Sequence, residues 1–233
     1  MNWPTLRNKP SRPRTIIFFI IFTLTLTEIY SAPEKKITEL SKEDRRFLNE
    51  MSTELKKIQS LETWFVQKRF IKLFLDSLTS EGVFYYENPD RLRWEIQKPY
   101  KSILIYNGTD AAMFGETNGK ITKKKSSDMK DIMRIVLKQI ATIIQGDFDT
   151  LKDSYSMSLE KNKSFHKIVL SPISKNGFLK SLVLFVNHSD LHISKIIIME
   201  HSGDRTEINY YKEKINPVIK KGLFDLENPL LSN

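Results

Sequence analysis

The side chains in this 233-residue sequence that could do chemistry are four histidines, 28 carboxylates and numerous serines, with no cysteine among them. His188, Asp190 and His192 stand at i, i+2 and i+4. On a strand that spacing puts all three on one face, where they could grip a metal. However, 187–190 reads as a turn and no fourth ligand is evident, so ordinary turn chemistry is the better account of the group. His166 and His201 are isolated, and backbone or solvent partners suffice for them. The lack of cysteine removes disulfides, thiolate metal sites, cysteine nucleophiles and any anchor attached through that residue. A Gly-x-Ser-x-Gly elbow, a Walker loop, His-Glu-x-x-His and Gly-x-Gly-x-x-Gly are all missing. No catalytic residue, metal or cofactor is therefore expected. A metal-dependent hydrolase built on His188 and His192 is the one enzymatic alternative these residues offer.

Charge excludes another class. Lys and Arg number 37 against 28 Asp and Glu, a formal charge of +9. Arg7, Lys9, Arg12 and Arg14 supply much of that excess, and beyond residue 31 the balance is 33 against 27. This is far from the dense basic stripe of a nucleic-acid binder, so no nucleic-acid partner is expected. Lys120 and Lys123–Lys125 make a basic loop. A solvated loop explains it. Attraction to anionic headgroups, about 1 kcal/mol per cation near a charged surface, is the alternative.

Those basic residues precede an apolar run, Thr15 to Thr27, closed by Glu28. A spanning helix needs about 20 apolar residues, and this run is shorter. Basic n-region, short apolar h-region and small residues at Ser31 and Ala32 read as a secretory signal over 1–31. Cleavage is expected between Ser31 and Ala32; an uncleaved N-terminal anchor is the alternative. With 40% hydrophobic residues, the remainder can build a core, and 32–233 is expected to be a single domain, monomeric and outside the cytoplasm.

The elements of that domain follow from periodicity. Phe47, Met51, Leu55, Ile58 and Leu61 draw one helical stripe over 41–61, with Ser41 and Asp44 placed as a capping box. Short strands follow at 63–74, 79–87, 91–97 and 101–106, divided by Asn88-Pro89-Asp90 and Lys98-Pro99. Asn107-Gly108 and Asn118-Gly119 predict hairpin turns. A second helix starts at Ser127 or Asp128. It shows a broad face including Ile132, Met133, Val136, Leu137 and Ile140, and stops at Gly146. Five further strands are expected at 154–160, 165–171, 179–186, 193–200 and 205–212. Residues 102–106, 182–186 and 196–199 are apolar on both faces, whereas Arg91 to Ile96 alternates, with Leu92, Trp94 and Ile96 on one side. A curved antiparallel sheet with helices on its concave face accounts for the mixture. The pattern leaves open whether that face packs solid, the ordinary state of a protein interior, or keeps a cavity.

At 81–106 the order is a glycine-led strand ending at Pro89, then Arg93-Trp94, then Pro99, then an apolar strand and the Asn107-Gly108 turn. This block resembles the signature of the outer-membrane lipoprotein carrier family, LolA. Trp64-Phe65-Val66-Gln67-Lys68 is similar to the family's phenylalanine-x-glutamine strand, and Phe224 to Pro229 to its closing tail, with a leucine replacing one aromatic. The resemblance implies an α+β fold: a half-open, unclosed antiparallel β-barrel whose concave face is covered by helices. It further implies a periplasmic carrier that holds lipoprotein acyl chains in an apolar cavity and moves them from inner to outer membrane without ATP. An inner-membrane lipoprotein-releasing complex, an outer-membrane acceptor and transient contact with a membrane surface come with it. Acyl chains need such shelter because each exposed methylene costs about 0.8 kcal/mol.

The expected cavity residues are Phe84, Tyr86, Leu92, Trp94 and Ile96 from the sheet, and Ile132, Met133, Val136, Leu137 and Ile140 from the second helix; ordinary core packing is the alternative for each. The family's functional arginine, which tethers the covering helices, stands directly before the first proline. Here that position is Asn88, and a neutral amide is not a guanidinium. Asn88, Arg91 and Arg93 are the candidates for that latch. The departure admits a carrier of another lipid, or a periplasmic domain that senses lipid or lipoprotein. Anchored acceptors of the same fold, such as LolB, need a lipidated cysteine that this sequence lacks.

Overall fold

The computed structural model describes residues 40–124, 137–174 and 177–229. The signal segment and its cleavage point near Ser31 lie outside them, as do Ile132, Met133 and Val136. Helix α1 (Lys42–Leu55) opens with the expected capping box, in which the Ser41 hydroxyl accepts from the Asp44 backbone N–H and the Asp44 carboxylate reaches back. It ends earlier than the apolar stripe suggests. Asn216 explains the stop: its Oδ1 accepts from the N–H groups of Gln59 and Ser60, and its Nδ2 donates to the Lys57 carbonyl. These bonds replace another helical turn, so Ile58 reaches the same core from a turn closed onto the Leu55 carbonyl and Leu61 from the strand that follows.

Eleven antiparallel strands make one sheet: β1 (Ser60–Phe70), β2 (Leu78–Glu87), β3 (Arg91–Lys98), β4 (Ser102–Asn107), β5 (Ala111–Thr117), β6 (Lys120–Lys123), β7 (Tyr155–Lys161), β8 (Phe165–Pro172), β9 (Leu179–Asn187), β10 (Ile193–Glu200) and β11 (Arg205–Ile215). Their order is β6-β5-β4-β3-β2-β1-β11-β10-β9-β8-β7. The edges β6 and β7 do not pair, so the sheet is not closed into a barrel. The first strand is shorter at its far end than its apolar texture implies. Past Phe70 the chain turns, with the Phe74 N–H donating to the Ile71 carbonyl and the Lys72 N–H to Asp204 Oδ1.

Between β6 and β7 lie a helix α2, described over 137–144, and a short α3 (Phe148–Lys152) that the sequence pattern did not reveal. Asp147 caps α3 by accepting from the Thr150 hydroxyl and the Thr150 backbone N–H, which together hold its carboxyl below the usual range. Gly146 ends α2 at φ +65°, and a Cβ there would stand 2.8 Å from the Ser52 Cα, so only glycine lets the two helices approach. Among the described residues no helix is long and apolar enough to cross a membrane.

Two cores result. The larger joins α1 and α2 to the concave face of the sheet through Phe47, Met51, Leu55, Leu137 and Ala141 against Phe65, Tyr86, Leu92, Ile168 and Leu184. The smaller lies on the other face, where Leu223 and Phe224 of the C-terminal tail cover Ile103, Ile105 and Phe114.

Candidate functional site

Strand register sets the site. Tyr86, Leu92 and Tyr106 form one cross-strand row, Phe84, Trp94 and Leu104 the next. Gly82 and Ile96 follow, with Phe65 beside Gly82. A Cβ on Gly82 would fall 2.0 Å from the Glu95 carbonyl oxygen and 2.6 Å from the Phe65 ring. The glycine therefore gives Phe65 the space in which it lies 4.1 Å from Trp94, centroid to centroid, and Trp94 meets Phe84 at 5.6 Å and Tyr210 edge-on at 6.5 Å.

Exposure rises along this face. Leu92 is 0% and Tyr86 1% exposed, and Phe84 and Leu137 are also buried, so this end is packed solid beneath the helices. Farther along, Trp94, Ile96 and Ile140 are only half-buried. They continue into half-buried Leu104, Leu182, Ile196, Ile198 and Tyr210. Leu104, Leu182, Ile196 and Ile198 were not singled out because their strands are apolar on both faces, leaving nothing to mark the inner one; Tyr210 lies on a mostly polar strand beside an equally aromatic Tyr211. Burial raises the phenol of Tyr86 to about 12 and also raises those of Tyr155 and Tyr210. The three tyrosines thus add no charge to the apolar face at ordinary pH.

The latch candidates separate in space. Asn88 sits where the sheet meets the helix ends: its Nδ2 donates to Gln59 Oε1 at 3.0 Å, and its Oδ1 accepts from the Tyr86 hydroxyl at 3.3 Å. Gln145, just past α2, donates through Nε2 to the Pro89 carbonyl. Arg91 pairs with Glu87 at 2.9 Å and is exposed. Arg93 points to the opposite face. It is 1% exposed, donates to the Leu223 and Pro229 carbonyls at 3.1 and 3.0 Å, and pairs with Glu95 at 2.7 Å. Its partners belong to the tail and to β3, not to the helices. Alternation along β3 had marked Arg93 as outward-facing; the apolar Leu223-Phe224 pair was the signal that something would cover it.

The His188, Asp190 and His192 side chains do not converge. His188 stacks on His166 at 4.2 Å, and His166 on Phe47 at 3.9 Å. His192 instead binds Glu213 at 2.7 Å. Asp190 accepts from the His192 backbone N–H within the turn. Among the described residues no three His, Asp or Glu side chains gather as metal ligands. Two clefts, of about 300 and 440 Å³, lie between α1 and the α2–α3 junction and beside the Asn88-Pro89 corner; neither is lined by Trp94 or Ile96.

The family profile described as outer membrane lipoprotein carrier protein LolA matches residues 56–227, from the end of α1 to the tail that Arg93 holds. The chain belongs to the LolA family. An outer-membrane lipoprotein carrier protein of Coxiella burnetii is 22% identical over 207 residues, covering 89% of this chain and 90% of its own length. One from Pseudoalteromonas translucida is 19% identical over 180 residues, or 77% and 82% of the two chains. Among solved structures, a LolA superfamily protein from Nitrosomonas europaea superposes with a TM-score of 0.41 at 10% identity, covering 76% of this chain and 96% of that one. MucB, solved in complex with MucA, gives 0.36 at 12% identity, over 77% and 58%. LolA membership and the unclosed sheet agree with the fold that the 81–106 block implied.

Proposed function

We propose that this LolA-family chain is a periplasmic carrier of lipoprotein acyl chains, exported by a signal over residues 1–31 and acting through one domain over 32–233. One observation carries the reading: the concave face of an unclosed sheet presents a contiguous apolar surface, half-buried from Trp94 and Ile96 to Ile198 and Tyr210. Hydrocarbon gains about 25 cal/mol for each Å² of apolar area removed from water, so every part of this surface that an acyl chain covers favours binding. Trp94, Ile96 and Ile140 are the first contacts. Phe84, Tyr86, Leu92 and Leu137, together with Ile132, Met133 and Val136, which lie outside the described residues, complete the site when the helices shift. The corner at Asn88 holds the helix ends by neutral hydrogen bonds in place of the family's arginine, a weak latch suited to release without ATP. The role is binding, not catalysis, with an inner-membrane releasing complex as donor and an outer-membrane protein as acceptor. Depletion in the native host, followed by fractionation, tests it: lipoproteins should accumulate in the inner membrane. Native mass spectrometry of the purified protein should show acylated cargo. Normal lipoprotein sorting after depletion would overturn the reading.

A further inference from the structure

The loop between β1 and β2 is built the wrong way round for a protein in water. Leu73 is 90% exposed, Phe74 58% and Leu75 106%. Three consecutive apolar side chains stand in solvent, while the base of the loop is pinned by the Lys72 N–H to Asp204 and by the Phe74–Ile71 turn. Single exposed leucines need no explanation, but a run of three at one tip does. The strand register places the β3–β4 turn and the β8–β9 connection at the same end of the sheet. There Tyr100 is 67% and Ile173 54% exposed. The half-buried stretch of β3, at Ile96, runs toward this end also.

We propose that this end of the sheet docks on a lipid bilayer, with Leu73, Phe74 and Leu75 entering the acyl boundary. The inference rests on the carrier reading, because it places the half-open apolar face next to the membrane from which an acyl chain would leave. A bilayer fits better than a protein partner for two reasons. The three apolar residues are consecutive on a turn, so they follow neither the strand nor the helix spacing by which a protein groove reads a segment, and a fluid interface needs no such spacing. The charge around them is also suitable: Lys72, Lys101 and Lys180 are exposed at this end and outnumber the one exposed carboxylate of the loop, Asp76. Cations at headgroup height beside a buried apolar tip are what an anionic lipid surface attracts, and Tyr100 has the amphipathic ring found at that level.

Flotation of the purified protein with vesicles of phosphatidylcholine containing about a third phosphatidylglycerol tests this directly. The protein should float with the vesicles, and L73S/F74S/L75S should lower partitioning by about tenfold or more, since polar side chains lose most of the transfer gain. F74W should bind, shift its emission to the blue and be quenched by brominated lipid. Binding of a soluble fluorescent fatty acid, measured without vesicles, separates the two readings. If the serine variant keeps fatty-acid binding and loses flotation, docking is supported. If fatty acid never binds but the tip still drives flotation, docking stands while the carrier reading falls. Wild-type protein that stays with the soluble fraction, a serine variant that floats equally well, or a tip that cross-links a protein partner and leaves vesicles alone would each overturn the proposal.

Discussion

Arg93 shows how much one residue can organise away from the apolar face. A guanidinium that is 1% exposed is tolerated only because every direction of its fork is used, by Glu95 and by two carbonyls of the tail. Arg93→Met keeps most of the volume and removes all three partners, stranding the Leu223 and Pro229 carbonyls. Glu95 keeps partial access to water and softens the loss. The expected cost is about 2–4 kcal/mol in denaturant unfolding, with the 217–229 segment becoming the first site of limited proteolysis. An intact tail under protease would show that Leu223 and Phe224 hold it without the arginine. His192 makes a smaller, pH-dependent contribution. Its hydrogen bond to Glu213 raises its pKa, against the effect of burial, and Asp190 and Glu54 add to the rise. A raised folded value means the stabilisation is complete below the unfolded value of about 6.5 and is lost as pH climbs through the folded one. His192→Gln should therefore lower the Tm at acid pH by about 1–3 °C and converge with wild type in alkali. A gap that stays constant with pH would assign the effect to packing.

At the scale of elements, the carrier reading proposed above makes the end of α2 the point at which the apolar face opens. Gly146 lets that end touch α1, and Gln145 fastens it to the β2–β3 corner by donating to the Pro89 carbonyl, while Asn88 ties the same corner to Gln59. Bonds made only with the helices closed bias the protein toward its empty form. Removing one should raise acyl affinity, since lipid then competes with a weaker closure. Gln145→Ala is expected to tighten a fluorescent acyl probe about two- to tenfold, the range of one net hydrogen bond. Unchanged affinity would mean the corner is not broken on binding. This arrangement was partly legible beforehand. Ser41 with Asp44, the glycine stop at 146 and the alternation of β3 are local signals, and local structure obeys them. The end of α1 was not legible, because Asn216 stops it from 157 residues away. Nor was the turn after Phe70, where Leu73 to Leu75 have strand-like composition but no strand beside them. Register, which makes Leu104 and Tyr210 neighbours of Trp94, belongs to pairing rather than to sequence.

Among the described residues, the concave face of the sheet is fully buried under the helices at one end and only half-buried at the other, and the difference between Leu92 and Trp94 measures that division. They are two residues apart on β3 and face the same side, yet Leu92 is 0% exposed while Trp94 is half-buried. A carboxylate at Leu92 would be desolvated without a partner and should unfold the protein or cost several kcal/mol. At Trp94 it can reach water, so the fold should survive at the cost of the Phe65 and Tyr210 ring contacts, about 1 kcal/mol beyond lost area. Leu92→Glu should therefore fail by circular dichroism and thermal melting. Trp94→Glu should melt within several degrees of wild type but lose acyl-probe binding by an order of magnitude or more, since a charge now lies where hydrocarbon would rest. Trp94→Phe, which keeps an apolar ring, should restore most of that binding and so separate the loss from simple loosening of the sheet. If Trp94→Glu unfolds as completely as Leu92→Glu, the two belong to one closed core. If it folds and still binds the probe as tightly as wild type, the apolar face is not where acyl chains lie.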